Sequence, residues 1–239
     1  MVKAAHLVRA ASDEVGLRRE SSVESGEIPM WLARVHRSLP VGATVRLSIS
    51  GELPVPHDDL LEGAGFRVAG PAAVRLPSLP DTVQPHMKLL ISGLNPSHYS
   101  ADAGVNFARA GNRFWPAALA AGIVTEDRSL DLALADHGVG FTDLAKRATV
   151  RADEITASEF RSGAARVERL VAWTQPKAFV MVGLGGWRHA VDKHAKSGWQ
   201  QDLFGGRPVY LMPNTSGLNT RETVETLAEH FRTAQAGPQ

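Results

Sequence analysis

The feature that most constrains the fold is an alternation, after residue 87, of short apolar segments with longer amphipathic ones. Apolar runs at 87–92, 178–182 and 209–212 have the length of buried strands, and a polar turn or loop follows each of them. Residues 158–175 place apolar side chains at helical spacing. This alternation predicts an α/β fold, a three-layer α/β/α sandwich with a mainly parallel central sheet.

Further segments of the same region fit this architecture. Helices are predicted at 115–122, 129–138 and 220–235, and a strand end followed by a turn is predicted at 140–145. In an open parallel sheet, ligands bind at the carboxyl ends of the strands. Polar residues that come directly after a predicted strand are therefore the first candidates for a functional site.

The N-terminal part of the chain has a weaker pattern of its own. Residues 28–50 predict a short amphipathic helix, a Pro/Gly turn and a strand, and 57–70 predict a further helix and strand. This part resembles the tail of a class I methyltransferase, but it has no Gly-rich cofactor loop. We therefore expect residues 1–80 to be a small, non-catalytic α/β extension and residues 81–239 to be the main domain. Four prolines make residues 71–87 read as a linker.

Composition narrows the function classes. The chain has no cysteine, which excludes disulfides, a thiolate nucleophile and metal centres built on cysteine. The nine histidines show no metal-binding spacing, so a metal is not expected. The function implied by the sequence motifs needs no other cofactor. No apolar run is long enough for a membrane span and no signal peptide is recognisable, which predicts a cytoplasmic protein without a membrane partner.

Net charge argues only weakly against a nucleic-acid partner. The 26 basic and 25 acidic residues do not make the strongly basic domain that is typical of a protein bound to phosphates. A near-neutral total can still contain a local basic stripe. Candidates for such a stripe are Arg109, Arg113, Lys146, Arg147 and Arg151.

The first motif follows the strand predicted at 87–92 and reads GLNPSHYSADAGVNFARAGNRFW, residues 93–115. Taken alone, Asn95 and Pro96 are ordinary residues for a strand end. The complete pattern, however, is similar almost residue for residue to the first motif of the mismatch-specific uracil-DNA and thymine-DNA glycosylases. These form one family of the uracil-DNA glycosylase superfamily. The resemblance extends from about Met87 to Arg232.

The resemblance implies a function. It implies a monofunctional DNA glycosylase that flips uracil out of double-stranded DNA and hydrolyses its glycosidic bond, which begins base excision repair. Uracil opposite guanine and etheno-adducts of cytosine are the implied substrates. We expect a monomer whose partner is DNA containing such a base. A second hypothesis stays open, namely a non-catalytic protein that binds damaged DNA through an inherited base pocket.

The resemblance also implies roles for residues of the first motif. Asn95 would hold the attacking water, Phe107 would stack on the flipped base, and Ser100 would lie near the edge of the pyrimidine that carries a methyl group in thymine. Gly93 and Leu94 would complete the base pocket. An amide is not a strong base, but it can orient water while positive charge builds on the sugar. The four residues that end the motif, Asn112 to Trp115, look structural.

The second motif, NTSGLNT at 214–220, follows the last predicted strand and resembles NPSGLSR of the same family. Asn214 would face the uracil carbonyl, and Leu218 would enter the duplex and fill the space of the flipped nucleotide. Ser216, Gly217 and Asn219 would contact DNA beside this wedge. The alternative for Leu218 is a hydrophobic contact within its own domain.

Two residues of the second motif depart from the family pattern. Thr215 stands where proline is usual, which is expected to loosen the loop. Thr220 stands where a basic residue is common, which removes a contact to phosphate or guanine. The departures are expected to change the preference for the opposite base and the strength of DNA binding, and they leave the pocket residues in place.

Asp143 is a candidate for a second water-activating group. It lies in GVGFTDLAKRAT, residues 138–149, at the end of a predicted strand, where family members often have a residue that is not acidic. The alternative is an aspartate that caps a turn or pairs with Lys146 or Arg147. Those two basic residues would either contact phosphates or form a solvated face.

Overall fold

The N-terminal segment forms a five-stranded antiparallel sheet with two helices. The computed structural model describes residues 2–8, 17–51 and 53–238. The strands are β1 Val2–Val8, β2 Leu17–Val23, β3 Thr44–Ser50, β4 Phe66–Ala69 and β5 Ala72–Arg75, and the helices are α1 Ile28–Ser38 and α2 His57–Gly63. The order across the sheet is β2-β1-β3-β5-β4. The small N-terminal α/β extension predicted from the sequence is therefore confirmed.

Helix α1 explains how this extension holds together. Pro29 occupies its first turn, where a missing N–H costs nothing. Ile28, Trp31, Leu32 and Val35 recur at helical spacing and are buried. They pack in one apolar cluster with side chains of β3, α2, β4 and β5.

The second sheet is mainly parallel. Its strands are β6 Leu89–Gly93, β7 Val139–Asp143, β8 Ala178–Val182, β9 Gly198–Trp199 and β10 Val209–Met212. The order is β7-β6-β8-β10-β9, and only β9 runs antiparallel to its neighbour. Strands β6, β7, β8 and β10 are buried along their whole length. A strand buried on both faces reads as a continuous apolar run, which is the pattern seen in this part of the sequence.

Helices cover both faces of this sheet. They are α3 His98–Ala103, α4 Phe114–Ala121, α5 Leu130–Ala135, α6 Ala157–Thr174, α7 Leu184–Ala190 and α8 Val224–Ala236. Alternate residues of β8 show the two faces, because Val180 packs with α4 and α8 while Phe179 packs with α6 and α7. This confirms the predicted three-layer α/β/α sandwich. In the described part of the chain, no helix has the length and apolarity that crossing a membrane requires.

The segment predicted to be a linker, residues 71–87, is instead an ordered part of the fold, so that prediction is wrong. It contains β5, and residues 78–83 are buried. The backbone of Thr82 exchanges hydrogen bonds with Phe141 of β7, and the Asp81 amide donates to the Gly63 carbonyl. Prolines and small polar residues are typical of a linker when a segment is considered alone. Here the residues that bind the segment, such as Phe141 and Gly63, are distant in the chain, so the sequence does not show these contacts.

Helix α6 lies very close to the backbone that follows β7. A Cβ atom at Gly163 would fall far inside van der Waals contact of the Leu144 carbonyl. Because the obstacle is backbone, it cannot rotate away. The close approach therefore requires glycine at this position.

Replacing Gly163 by alanine is expected to lower the free energy of unfolding by about 2 kcal/mol or more, because α6 must move away from β7. Gly185 in α7 provides a matched control, since a Cβ there would meet no heavy atom within 4 Å. Gly185→Ala should leave stability unchanged or raise it by up to about 1 kcal/mol. Urea unfolding followed by circular dichroism measures both, and equal stabilities would contradict the prediction.

Candidate active site

A single cleft lies where the carboxyl ends of the parallel strands meet, and its volume is about 160 Å³. The sequence-predicted residues that line it are Gly93, Leu94, Asn95, Ser100, Phe107, Asp143, Asn214 and Ser216. They come from three separate parts of the chain. The fold thus brings together every residue that the sequence assigned to catalysis or to base binding, whereas Gly217, Leu218 and Asn219 lie outside the cleft lining.

The pairing of β6 with β7 places Asp143 in this cleft. In the parallel register Gly93 lies opposite Asp143. A Cβ atom at Gly93 would overlap the Oδ1 atom of Asp143 and would lie 3.5 Å from the Phe107 ring. Glycine at position 93 therefore leaves the space that the Asp143 carboxyl occupies.

The carboxyl of Asp143 is buried, with 3% of the residue exposed. Burial raises its pKa to about 7; Asp81 acts in the same direction, while Lys146, Arg166 and the hydrogen bond from Asn106 oppose the rise. The Asn106 Nδ2 atom donates to Asp143 Oδ2 over 3.1 Å. A carboxyl with a pKa near 7 can accept a proton in neutral solution, which is a property of general bases in active sites.

The ion pairs considered for Asp143 from the sequence are not formed among the described residues, so that alternative is wrong. Lys146 Nζ binds Asp81 Oδ1 at 2.8 Å, and Arg147 Nε binds Glu159 Oε1 at 2.7 Å. Only 3% of the Lys146 side chain is exposed, so it cannot reach a phosphate. Lys146 and Arg147 are close to Asp143 in the sequence, but in the folded protein they pair with Asp81 and Glu159.

The amide of Asn95 is held by its nitrogen. Nδ2 donates to the carbonyl oxygens of Pro96 and Arg147 over 3.1 and 3.0 Å, and to Thr149 Oγ1 over 2.7 Å. These acceptors fix the amide orientation, because Nδ2 is the only donor in the side chain. Among the described residues no donor reaches Oδ1, so this oxygen is available to accept a hydrogen bond from a water in the cleft.

Phe107 forms an aromatic wall of the cleft. Its ring stacks on that of Phe114, with centroids 4.1 Å apart and planes 8° apart. Its backbone has φ of 58°, a left-handed conformation that is unfavourable for a side chain with a Cβ. The stacked ring and the unusual backbone show that Phe107 is held in place, and its face opposite Phe114 is available to a planar ligand.

Arg113 joins the first motif to the second. Its backbone amide donates to the Thr215 carbonyl, and its guanidinium donates to the carbonyls of Ser216, Asn219 and Glu222. One side chain therefore supports the whole loop after β10. Thr215, where proline is usual in the family, is fully buried beneath this contact.

The loop after β10 presents Leu218 to solvent, with 88% of the residue exposed. Asn214 Oδ1 accepts from the Ser216 amide over 2.8 Å, which leaves the Asn214 Nδ2 as the side-chain donor. Asn219 Nδ2 donates to the Asn214 carbonyl over 2.8 Å. The alternative of a contact between Leu218 and its own domain is not supported, because the side chain projects away from it.

Of the basic stripe considered from the sequence, Arg147 and Arg151 stay at the surface, with 49% and 74% of their side chains exposed. Arg113, Lys146, Arg147 and Arg151 are engaged with carbonyls or carboxylates of the protein. Arg109 is exposed and lines the cleft. Within the residues that the structure describes, no group of three or more His, Asp or Glu side chains is placed to hold a metal ion.

Three buried residues at or beneath the site were missed by sequence reasoning. Asn106 looks like an ordinary loop residue, although it directly precedes Phe107, and Asp81 lies in the segment that was interpreted as a linker. Arg166 gave a usable signal, because a charged residue stands on the apolar face of α6 beside Val167 and Leu170. A charged side chain at such a position must find a partner inside the protein.

The architecture and the site define a class of protein: an α/β fold with a cleft at the carboxyl edge of a parallel sheet, lined by an aromatic ring and a buried carboxyl. The family model for the uracil DNA glycosylase superfamily matches residues 80–235, which include the second sheet and both motifs. The chain therefore belongs to the uracil DNA glycosylase superfamily, whose members are DNA glycosylases of base excision repair.

Proposed function

We propose that this protein is a monofunctional glycosylase of the mismatch-specific type, which removes uracil, and etheno-adducts of cytosine, opposite guanine in double-stranded DNA. The observation that carries the proposal is the meeting of Asn95 and Asp143 in one cleft with Phe107 and Asn214. A base cannot react inside a duplex, so it must enter a pocket that recognises its face and its edge. The cleft has a group for each task.

The base would be bound by three residues. Phe107 offers a ring face for stacking, and Asn214 offers its Nδ2 donor to a uracil carbonyl. The Ser100 hydroxyl already accepts bonds from Ser97 Oγ and the Ala108 amide, over 3.1 and 3.3 Å, so its own proton is the group it can direct to the base. These contacts favour a pyrimidine with carbonyl oxygens.

The reaction would use one water and no cofactor. Asn95 Oδ1 orients the water and Asp143 accepts its proton as the water oxygen bonds to C1′ of the deoxyribose. The bond between C1′ and N1 of uracil breaks, and its electron pair leaves with the base as an anion. The products are an abasic site and free uracil. A carboxyl that is half ionised near pH 7 suits this proton transfer.

The exposed Leu218 would enter the duplex at the place of the flipped nucleotide. Its neighbours Ser216, Gly217 and Asn219 would then lie against the opposite strand. A Cβ atom at Gly217 would lie only 2.7 Å from the Gly111 carbonyl, so the second loop rests directly on the first. This support would keep the wedge in place when it displaces a base.

The test is release of uracil from a labelled duplex with one uracil opposite guanine, measured in single turnover. Wild type should cut, and Asn95→Ala should cut about 10²-fold more slowly, because the water loses its orienting group. Gln201→Ala, which removes an exposed amide outside the cleft, is the matched control and should react like wild type. Circular dichroism verifies the fold of each variant.

The outcomes separate the proposed enzyme from the non-catalytic alternative. If wild type binds the duplex but releases no uracil under any condition, the protein is a binder of damaged DNA and the proposal is wrong. If Asn95→Ala reacts as fast as Gln201→Ala, excision occurs but Asn95 does not orient the water.

A further inference from the structure

A cluster of buried charges lies directly beneath Asp143, outside the cleft. Asp81 accepts from Lys146 Nζ at 2.8 Å, from Arg166 Nη1 at 2.7 Å and from Thr142 Oγ1 at 2.6 Å. No side chain of the three charged residues is more than 6% exposed. Ions removed from water to this extent are costly unless their charges are compensated.

The cluster is connected to Asp143 through the backbone. Arg166 Nη2 donates to the Asp143 carbonyl over 2.8 Å and to Thr142 Oγ1 over 3.1 Å. The same guanidinium thus binds Asp81 and holds the strand end from which the Asp143 side chain projects. Arg166 therefore helps to hold the backbone of Asp143 in place.

The charges of the cluster do not balance by themselves. Lys146 and Arg166 carry two positive charges, and Asp81 carries one negative charge, because these two cations outweigh the effect of burial and lower the pKa of Asp81. One positive charge remains in a buried region. Ionisation of Asp143 would offset it. Among the described residues, the side chain that donates a hydrogen bond to this carboxyl is the neutral Asn106, and Arg109 lines the same cleft.

The N-terminal extension closes this cluster from the other side. Gly63 at the end of α2 lies so close that a Cβ there would overlap Asp81 Oδ2 and come within 3.0 Å of Arg166 Nη1. The space left between Pro29, Gly63, Asp81 and Arg166 is only about 10 Å³. This is about the least that one water needs, so the extension keeps bulk solvent from the charges.

We propose that Asp81, Lys146 and Arg166 are positioning residues that hold the end of β7 and set the pH at which the Asp143 carboxyl loses its proton. The inference rests on the proposed function only for its effect on catalysis, since the ionisation of Asp143 is a property of the free protein. It also assigns a task to the extension, which is to exclude water from the cluster that controls the site.

The test uses two substitutions with opposite expected effects. Asp81→Asn keeps the shape and an acceptor oxygen but removes the competing negative charge, so Asp143 should ionise at a pH lower by about one unit or more. Lys146→Met removes a neighbouring positive charge, so Asp143 should ionise at a pH higher by a similar amount. Asp59→Asn is the control. It removes the charge that pairs with the partly exposed Arg169, and it should leave the pH at which Asp143 is half ionised unchanged.

Two readouts follow the ionisation. The first is the carboxyl ¹³C resonance of Asp143 during a pH titration of the free protein, assigned by its loss in Asp143→Asn. The second is the pH dependence of single-turnover uracil release. The resonance reports on the cluster even if the protein cuts no DNA, so failure of this inference and failure of the proposed function are distinguishable.

Shifts of the resonance midpoint in opposite directions support the inference. Shifts in the same direction, or unchanged midpoints in folded variants, overturn it, because a structural role alone has no reason to depend on the sign of the charge removed. If Asp81→Asn does not fold, the upward shift in Lys146→Met decides by itself, and its absence overturns the inference.

Discussion

Asp143→Asn is expected to release uracil about 10² to 10⁴ times more slowly than wild type at pH 8, because the variant cannot accept the proton of the attacking water. The wild-type rate should rise as the pH increases toward about 7, where the carboxyl of Asp143 ionises, and should level off above it. In Asp143→Asn this rise should disappear. Single-turnover rates between pH 5 and 9 provide the measurement.

The control for this substitution is Asp102→Asn, which removes an exposed acid of helix α3 and should retain the wild-type pH profile. Asn95→Ala should be slow at every pH but should keep the rise toward pH 7, because it retains the carboxyl. An Asp143→Asn variant with an unchanged profile would show that another group accepts the proton.

Asp143 is also expected to lower the free energy of unfolding at neutral pH. Its pKa is about 7 in the folded protein against 3.8 without the fold. The folded state therefore binds more protons than the unfolded state between pH 4 and 7, so stability falls as the pH rises through this window. The loss is on the order of 4 kcal/mol when complete. Asp143→Asn should lack this decrease in urea unfolding, which would show that the site exchanges stability for reactivity.

Arg166→Met is expected to lower the free energy of unfolding by about 3 to 5 kcal/mol, because it leaves the buried Asp81 carboxylate with one cation and removes the donor to the Asp143 carbonyl. Helix α6 supplies a matched control. Arg169 lies on the same helix and pairs with Asp59 of α2, but the Arg169 side chain is 47% exposed. Arg169→Met should cost no more than about 1 kcal/mol.

Urea unfolding at pH 7 compares the two arginine variants. Similar losses in both would contradict the assignment of a buried, compensated cluster. A large loss in Arg166→Met alone would support a buried cluster in which Arg166 compensates the charge of Asp81.

Much of the fold was predictable from the sequence because its signals are local. The strands β6, β8 and β10 are buried on both faces and so read as apolar runs, and α6 and α8 show helical spacing. The two motifs identified the superfamily, which the match over residues 80–235 confirms. The mismatch-specific type and the roles of the individual residues stay predictions.

Only the tertiary structure shows which buried charged and polar side chains pair with one another. Nothing local to Asp81 shows that it binds Lys146 and Arg166, which follow it by 65 and 85 residues. The same holds for Asn106 and Asp143, which are 37 residues apart. Apolar periodicity indicates which face of an element is buried, but the partner of a buried polar group depends on which elements meet. The pairing of buried charges is therefore determined only in the packed protein. A buried charge without a partner would destabilise the whole fold, so each one must meet an opposite charge or a hydrogen-bonding group from another element.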